Sequence, residues 1–571
     1  MQSLSIAVLG SGGSGAITLG NLLLEACARL GCYGIQTRSV GPQIRGGEAA
    51  SMIRLASEPI ACVSDQYDIL LAMDWNNADR FAPEIRIGPD SLVIYDPKKG
   101  EIPANIAAAH AHANELPISA LAKQVRGGRD NMVALGAIAE ITGLSDECIE
   151  FVLTKQLSQK GEQVLASSLE TIKLGREAAA GMEKRALPVG VRNGSERWII
   201  SGNQATGLGA LDGGIRFVAA YPITPATEIL EWMAPKLPLV GGALIQAEDE
   251  LASINMVLGA SFGGIPSMTA TSGPGLSLMM EGLGLAVGSE TPVVVVDVMR
   301  GGPSTGIPTT AEQSDLNIAV YGFHGDAPHL VLAPTSVTDC LFTAQWSVCL
   351  AESLQAPAIV LSDQFLGQAN MIIDRPELPG LEARRQTNAR PEPEFERYAL
   401  TANGVSPTAI PGTPGGQHTI TGLEHTASGV PSSTAENHAL QLDKRSRKIG
   451  QFDYGDRWAD VEGDGELAVI TWGSSTGPVR EAVDRLRREG RDNIRVIAIR
   501  LLSPAQPQRF AAAMDGIKRV LTVEQSHSAQ FQHYLAAHYE LPADRHAYHR
   551  AGPLPMRAGE LAEKIGSWSE T

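Results

Sequence analysis

A doubly wound α/β fold, built as three α/β domains with mostly parallel sheets, is what this sequence predicts. Three observations carry that expectation. Uniformly apolar runs such as Val293-Val294-Val295-Val296 read as strands covered on both faces, as in a parallel sheet. Such runs alternate with helical patterns along the chain. With 60 glycines and 34 prolines in 571 residues, the chain can make many short loops between them.

In chain order, residues 4–10 predict a strand entering a glycine turn, and a helix follows over 16–30. Strands are expected at 69–73 and 92–95. Residues 131–141 are Ala-rich and predict a packed helix, and 151–180 read as one helix. The polar stretch from Arg192 to Arg197 sets a boundary near 190, so the first domain is 1–190. A second domain, 195–380, has strands at 217–220, 292–298, 329–332 and 358–361 and a helix over about 247–260. Residues 381–460 read as an extended arm or linker, because 403–433 is rich in Pro, Gly, Ser and Thr. Alternation resumes at 467–472, and strands at 496–499 and 519–523 complete a third domain, 461–571.

The formal charge of −17 argues against nucleic acid or an anionic membrane as a main partner. No apolar run is long enough to span a bilayer. The first 24 residues carry no Lys or Arg and contain a glycine cluster, which predicts strand-turn-helix and not an export signal. Six scattered cysteines without a C-x-x-C pair disfavour a zinc ribbon or iron–sulfur cluster and fit a reducing cytoplasm.

Four constellations carry chemistry. Tyr221-Pro222-Ile223-Thr224-Pro225-Ala226-Thr227-Glu228 follows a strand and precedes a helix beginning near Ala226. Its prolines stiffen the loop and present the Thr224 hydroxyl at a fixed place. Gly10-Ser11-Gly12-Gly13-Ser14-Gly15 matches G-x-G-x-x-G, a turn suited to phosphate and equally a plain tight βα corner. The acidic residue that would hold an NAD ribose is missing; Arg38 leaves NADP or coenzyme A open, or is simply solvated. Glu248-Asp249-Glu250 opens a helix with an apolar stripe of Leu251, Ile254 and Leu258; it reads as an acidic first turn or as a functional carboxylate. Thr271-Ser272-Gly273 and Arg300 end strands, where α/β sheets place ligands, and a guanidinium can grip a carboxylate with two parallel bonds. Gly463-Asp464-Gly465 with Asn493 approaches a metal–diphosphate spacing but precedes a strand, so it reads as a turn.

These motifs together resemble the 2-oxoacid:ferredoxin oxidoreductases, thiamine-diphosphate enzymes. Tyr221–Thr224 with Pro225 resembles their YPITP loop. The glycine turn, Gly41-Pro42-Gln43-Ile44-Arg45-Gly46-Gly47 and Asn131-Met132-Val133-Ala134-Leu135-Gly136 resemble their gamma domain, with Ser14 where Gln is usual. Gly202-Asn203-Gln204-Ala205, Thr421–His425, His438, Lys444-Arg445 and Val523-Glu524-Gln525 extend the resemblance, with Ser526 replacing the usual Asn and Ala529 a frequent Gly.

The resemblance implies a gamma-type domain handling coenzyme A (1–190), a thiamine-diphosphate pyrimidine-binding-type domain (195–380), an arm (381–460) and a transketolase-C-terminal-like domain (461–571). It implies Glu250 as the catalytic carboxylate at N1′ of the thiamine pyrimidine, where it drives the imino tautomer, with Glu248 as the fallback. Thr224 and Arg300 would bind the substrate 1-carboxylate, with Arg45 a further substrate contact; Arg45 and Lys444-Arg445 are candidates for a distal carboxylate. Tyr221, Pro222, Ile223, Thr271, Ser272, Gly12 and Gly13 would contact cofactors. The R-G-G-P-S-T-G form after Met299 is most like the 2-oxoglutarate branch. The activity implied is conversion of 2-oxoglutarate, coenzyme A and oxidised ferredoxin to succinyl-CoA, carbon dioxide and reduced ferredoxin. Pyruvate or a branched-chain oxoacid as substrate, or a non-catalytic NADP- or CoA-binding subunit, are the alternatives. No metal ligand is expected here. A beta subunit would bring Mg2+, diphosphate contacts and a [4Fe-4S] cluster, in an (alpha-beta)2 assembly.

Overall fold

The computed structural model describes every residue except 1, 42–46, 191–196, 309, 379, 392–394 and 571. The chain forms two compact units. The first comprises 1–201, 368–376 and 554–561; the second comprises 202–367, 377–553 and 562–571. The expected segments 195–380, 381–460 and 461–571 all contribute to the second.

The first unit holds an eight-stranded sheet in the order His112–Glu115, Leu92–Tyr95, Ile69–Ala72, Ser3–Ser11, Glu48–Ala56, Tyr33–Val40, Asn370–Asp374, Arg197–Ser201. The first four strands run parallel, and every later pairing is antiparallel. This sheet is therefore mixed, while the sheets of the chain taken together are mostly parallel, as expected. The difference lies in the hairpin of Tyr33–Val40 and Glu48–Ala56, whose register pairs Val40 with Ala49. The last two strands come from beyond the first 190 residues. Helix Ala16–Leu30 stands as expected and ends at Gly31, whose φ of 102° suits glycine. The single helix expected over 151–180 is two, Asp146–Leu157 and Glu162–Ala179, separated at Gly161 with φ 92°.

The second unit contains two sheets. The larger runs Leu501–Ser503, Leu330–Leu332, Ala358–Asp363, Val294–Met299, Ser267–Thr271, Phe217–Ala220, Ala243–Gln246. All its pairings are parallel except that of Leu501–Ser503, a strand lent by the C-terminal part of the chain. Val293 to Val296 are buried, as a sheet covered on both faces requires. The smaller sheet runs Ala459–Glu462, Ile494–Ile499, Leu467–Trp472, Arg519–Glu524, Asp544–His549, with only its first pairing antiparallel.

The arm is not wholly extended. Residues 435–450 form the helix Ala435–Gly450, capped by the Thr434 side chain. Its Lys444 and Lys448 are buried against Glu290, and Arg445 pairs with Glu424. Lys444-Arg445 is thus a set of internal ion pairs, which corrects its candidacy for a distal carboxylate. His425 stacks on Tyr398 with ring centroids 3.8 Å apart and lies 2.9 Å, through Nε2, from Gly288 O. Gly463–Gly465 is a turn between strands, tied by Asn493 Oδ1 accepting from Glu466 N at 2.7 Å. No helix among the described residues is long and apolar enough to cross a membrane.

Candidate active site

In the larger sheet of the second unit, the chain passes from Phe217–Ala220 to the edge strand Ala243–Gln246. It then returns to Ser267–Thr271 on the opposite side of Phe217–Ala220. The strand order reverses between Phe217–Ala220 and Ser267–Thr271. In open α/β sheets ligands bind outside the carboxyl ends of the strands at such a switch point. The loop at Tyr221, the turn at Ser272, Glu250 and Arg300 all follow the C-terminal ends of these strands.

The Tyr221–Ala226 loop is held from two sides. Arg300 Nη1 donates to Thr224 O at 2.6 Å, and Asn203 Nδ2 donates to Pro225 O at 3.0 Å. Thr227 N donates to Ile223 O at 3.0 Å and begins the helix Thr227–Met233. Thr224 and Tyr221 are exposed, and Ile223 packs against the core. Arg300 is buried and its Nε has no hydrogen-bond partner. Burial lowers its pKa, while Asp315 and Asp297 oppose that shift.

The three acidic residues before the next helix separate cleanly. Glu248 is exposed, Asp249 caps the helix Glu250–Phe262 by accepting from Ala252 N at 2.6 Å, and Glu250 is only 7% exposed. The inward face is Glu250, Ser253, Ile254, Val257, Leu258 and Ser261, whereas Leu251 is 51% exposed. This corrects the expected stripe: Leu251 lies outside it and the carboxylate lies on the buried face. A methyl group on Gly275 would sit 2.7 Å from Glu250 Cγ and Oε1 and would overlap Thr271 Oγ1. Glycine at 275 therefore lets Glu250 and Thr271 meet over the first turn of the helix Gly273–Gly288. Ser272, at its N-cap, has a buried hydroxyl without a partner.

A buried carboxylate at a helix N-terminus, near a threonine hydroxyl, offers the kind of hydrogen-bond acceptor that the pyrimidine end of thiamine diphosphate needs. The structure thus brings Thr224 to Arg300 and Glu250 to Thr271, with Ser272 at the same strand ends. Among the described residues no group of three or more His, Cys, Asp or Glu side chains could hold a metal ion.

Sequence reasoning missed Asn203, Gln313 and the pair Asp297 and Asp315 as parts of this edge. Gln313 Nε2 donates to Trp472 O at 2.8 Å, and its Oε1 accepts from Gln525 N at 2.7 Å. Gln530 Nε2 donates to Ser314 O at 2.9 Å. Backbone atoms of Trp472 and Gln525, at strand ends of the smaller sheet, and the Gln530 side chain thus fix the segment after Arg300. A buried glutamine in a loop was the only available signal.

In the first unit, Gly12 N donates to Gly47 O, and Ser14 N to Ser11 O at 2.9 Å. Ser11 N and Oγ both donate to Asp74 Oδ2 at 2.8 Å. Four of the turn's donors, Ser11 N and Oγ, Gly12 N and Ser14 N, are used internally and a carboxylate faces it, while the buried Ser14 hydroxyl has no partner. Gly13, with φ 95°, has open space beyond its Cα, whereas a methyl on Gly15 would lie 2.6 Å from Asn131 Nδ2. The glycine turn and the Asn131 helix therefore pack together. Arg38 is exposed, and Arg45 lies outside the described residues.

Comparison with known proteins supports one family throughout. The family model "Pyruvate flavodoxin/ferredoxin oxidoreductase, thiamine diP-bdg" matches residues 208–444, and "Pyruvate ferredoxin/flavodoxin oxidoreductase" matches 5–178. The chain is 29% identical to the 2-oxoacid:ferredoxin oxidoreductase 2 subunit alpha of Aeropyrum pernix, over 100% of this chain and 98% of that one. It is 37% identical to the 2-oxoglutarate synthase subunit KorA of Methanothermobacter marburgensis, over 64% of this chain and 96% of the relative. The solved 2-oxoglutarate:ferredoxin oxidoreductase from Magnetococcus marinus, with 2-oxoglutarate, coenzyme A and succinyl-CoA bound, matches at 38% identity and TM-score 0.92, over 99% of each chain. The chain therefore belongs to the 2-oxoacid:ferredoxin oxidoreductase family, as an alpha subunit carrying its gamma-type and thiamine-diphosphate-binding regions on one polypeptide.

Proposed function

We propose that this chain is the alpha subunit of a 2-oxoglutarate:ferredoxin oxidoreductase. The enzyme would convert 2-oxoglutarate and coenzyme A to succinyl-CoA and carbon dioxide, with two electrons passing to ferredoxin. The observation that carries this reading is the meeting of Arg300 with the Thr224 loop, and of Glu250 with Thr271, along one edge of a parallel sheet. Oxoglutarate is favoured over pyruvate because the KorA relatives and the Magnetococcus marinus enzyme act on it.

Thiamine diphosphate, when bound, supplies the carbanion chemistry that decarboxylation of a 2-oxoacid needs. Glu250 would accept the hydrogen bond of the pyrimidine N1′ and hold a proton there. Its burial excludes water, which strengthens that bond. Ile223 would support the ring, and Thr271 and Ser272 would contact its edge. Arg300 Nε and the Thr224 hydroxyl would orient the substrate 1-carboxylate toward the reacting centre.

The remaining parts are assigned to a beta subunit: Mg2+, the diphosphate contacts and a [4Fe-4S] cluster. Exposed apolar side chains at Leu251 and Met256 on the helix that Glu250 begins, and at Leu278 on the helix Gly273–Gly288, support a partner chain covering these helices. The assembly proposed is (alpha-beta)2, in the cytoplasm. Coenzyme A is assigned to the first unit through the family resemblance, with Gly12, Gly13 and Arg45 as its candidate contacts.

The test is co-purification with the partner subunit, followed by viologen or ferredoxin reduction across a panel of 2-oxoacids with coenzyme A. Highest kcat/KM on 2-oxoglutarate is expected. Preference for pyruvate or a branched-chain oxoacid would overturn the substrate assignment, and no 2-oxoacid-dependent reduction would overturn the function.

A further inference from the structure

An acidic pair, Asp297 fully buried and Asp315 half-buried, lies beside the proposed clamp. Asp297 is on the strand Val294–Met299, in register with Thr271, and is 0% exposed. Neither of its carboxyl oxygens finds a donor, nor does Asp315 Oδ2. The two carboxyl groups are near enough that each acts on the other's titration. Two carboxylates that close cannot both be ionised at low cost, and a single proton between them satisfies the orphaned oxygens.

The surroundings decide which residue bears the charge. Asp315 Oδ2 faces Gly273 at the N-terminal end of a 16-residue helix; a methyl there would lie 2.6 Å from it. The Ser314 hydroxyl lies 3.3 Å from Asp315 Oδ1 and 2.9 Å from Arg300 O. Both features favour the anion on Asp315, leaving the proton on Asp297. The other charged groups acting on the pair are Arg300 and Glu312. Burial and the partner carboxyl raise Asp297 well above the usual carboxylate range, and burial raises Asp315 to about 6. Across neutral pH the pair thus holds one proton.

We propose that Asp297 and Asp315 act as one proton-sharing unit that sets how much positive charge Arg300 offers to the substrate carboxylate. This rests on the reading of Arg300 as the clamp. With one proton the pair carries one negative charge and balances Arg300. When the second proton leaves, the pair overcompensates the guanidinium and repels an anionic substrate. These two are positioning residues, acting through Arg300.

The experiment uses the complex co-purified with its partner subunit. The oxoacid KM is measured against pH beside infrared spectra of protonated carboxyl groups. A carbonyl band of a buried carboxylic acid is expected at neutral pH. It should fade on alkaline titration as KM rises, roughly tenfold for the added charge. Asp297→Asn replaces the acid O–H with an amide donor of the same shape, so its KM should stay flat over that range and the band should be gone. No band in the unmutated complex, or the same alkaline rise of KM in Asp297→Asn, overturns the proposal. If the variant does not accumulate, the band in the unmutated complex decides alone. Arg300→Ala measured in parallel separates the two readings: unchanged KM there refutes the clamp, while the band reports on the pair itself.

Discussion

Glu290 is the counter-charge of the most deeply buried ionic cluster in the second unit, and removing it should cost much of that unit's stability. Lys444 Nζ bonds Glu290 Oε1, Lys448 Nζ bonds Oε2 at 2.9 Å, and Arg397 Nη2 donates to Glu290 O at 2.9 Å. Lys448 also donates to Gln355 O at 2.8 Å. Burial alone would raise the Glu290 carboxyl, yet Lys448, Lys444 and Arg397 together hold it well below its ordinary value. In Glu290→Gln both lysines stay buried with no carboxylate between them. Breaking a buried ion pair from one side costs about 3–5 kcal/mol, and that is the loss expected at neutral pH.

The loss should shrink in alkali. Burial lowers Lys444 from 10.5 to about 8, so between those values the unfolded chain binds a proton that the folded chain does not. Stability therefore rises with pH across that window. Without Glu290 the lysines discharge at lower pH, so below about 8 the variant already gains stability with pH while the unmutated chain does not, and the deficit narrows there. Urea unfolding followed by tryptophan fluorescence, at neutral pH and near the upper end of the window, measures both effects. A deficit below about 1 kcal/mol at neutral pH, the range of an exposed pair, would refute the claim that the cluster is buried and interdependent. A deficit unchanged in alkali would refute the account of its cause.

Three other outcomes are expected. Glu250→Gln should lower kcat by about 10²–10⁴-fold, the range of a lost proton-handling group, while the circular dichroism spectrum is unchanged; wild-type turnover would remove Glu250 from the chemistry. Gly275→Ala should displace the Glu250 side chain and lower kcat at least about tenfold, since its methyl meets Glu250 and Thr271; full activity would show that the side chain lies elsewhere. Gln313→Ala removes the bonds to Trp472 O and Gln525 N and should destabilise by about 1–3 kcal/mol, read by urea denaturation, with a raised oxoacid KM; loss of neither would mean that the smaller sheet does not position this segment.

The legible parts of the sequence were those governed by local rules. The run 293–296 has the composition of a doubly covered strand, and the helix Ala16–Leu30 has its stop signal at Gly31. Helix breaks were legible in principle: Gly161 splits the region read as one helix because its backbone is left-handed there. Among the candidate site residues, Thr224, Glu250, Thr271 and Arg300 could be named from sequence because each lies in a recognisable motif near a strand end or helix start. Glu250 was preferred to Glu248 through the family resemblance alone, because helix phase at a first turn is not fixed until the cap is known. The cap is Asp249, and it turns Glu250 inward.

Pairings between distant segments were not legible, since hydrogen bonds between strands leave no local mark. Asn370–Asp374 and Arg197–Ser201 complete the first unit's sheet, and Leu501–Ser503 adds to a sheet formed mostly by residues 217–363. The antiparallel pairing of Tyr33–Val40 with Glu48–Ala56 likewise left no mark in the sequence. The basic helix Ala435–Gly450 carries charges that look solvated in sequence. They are neutralised by Glu290 and Glu424, which lie 154 and 21 residues away.

By itself the sequence determined the α/β class, the family, and which residue types carry the chemistry, because period, turn chemistry and motif spacing are local properties. Only the tertiary structure decided which carboxylate faces inward, that Arg300 grips the Thr224 loop, and that Asp297 and Asp315 share one buried site. Those outcomes depend on burial and on contacts across strands, which arise only when remote segments exclude water together.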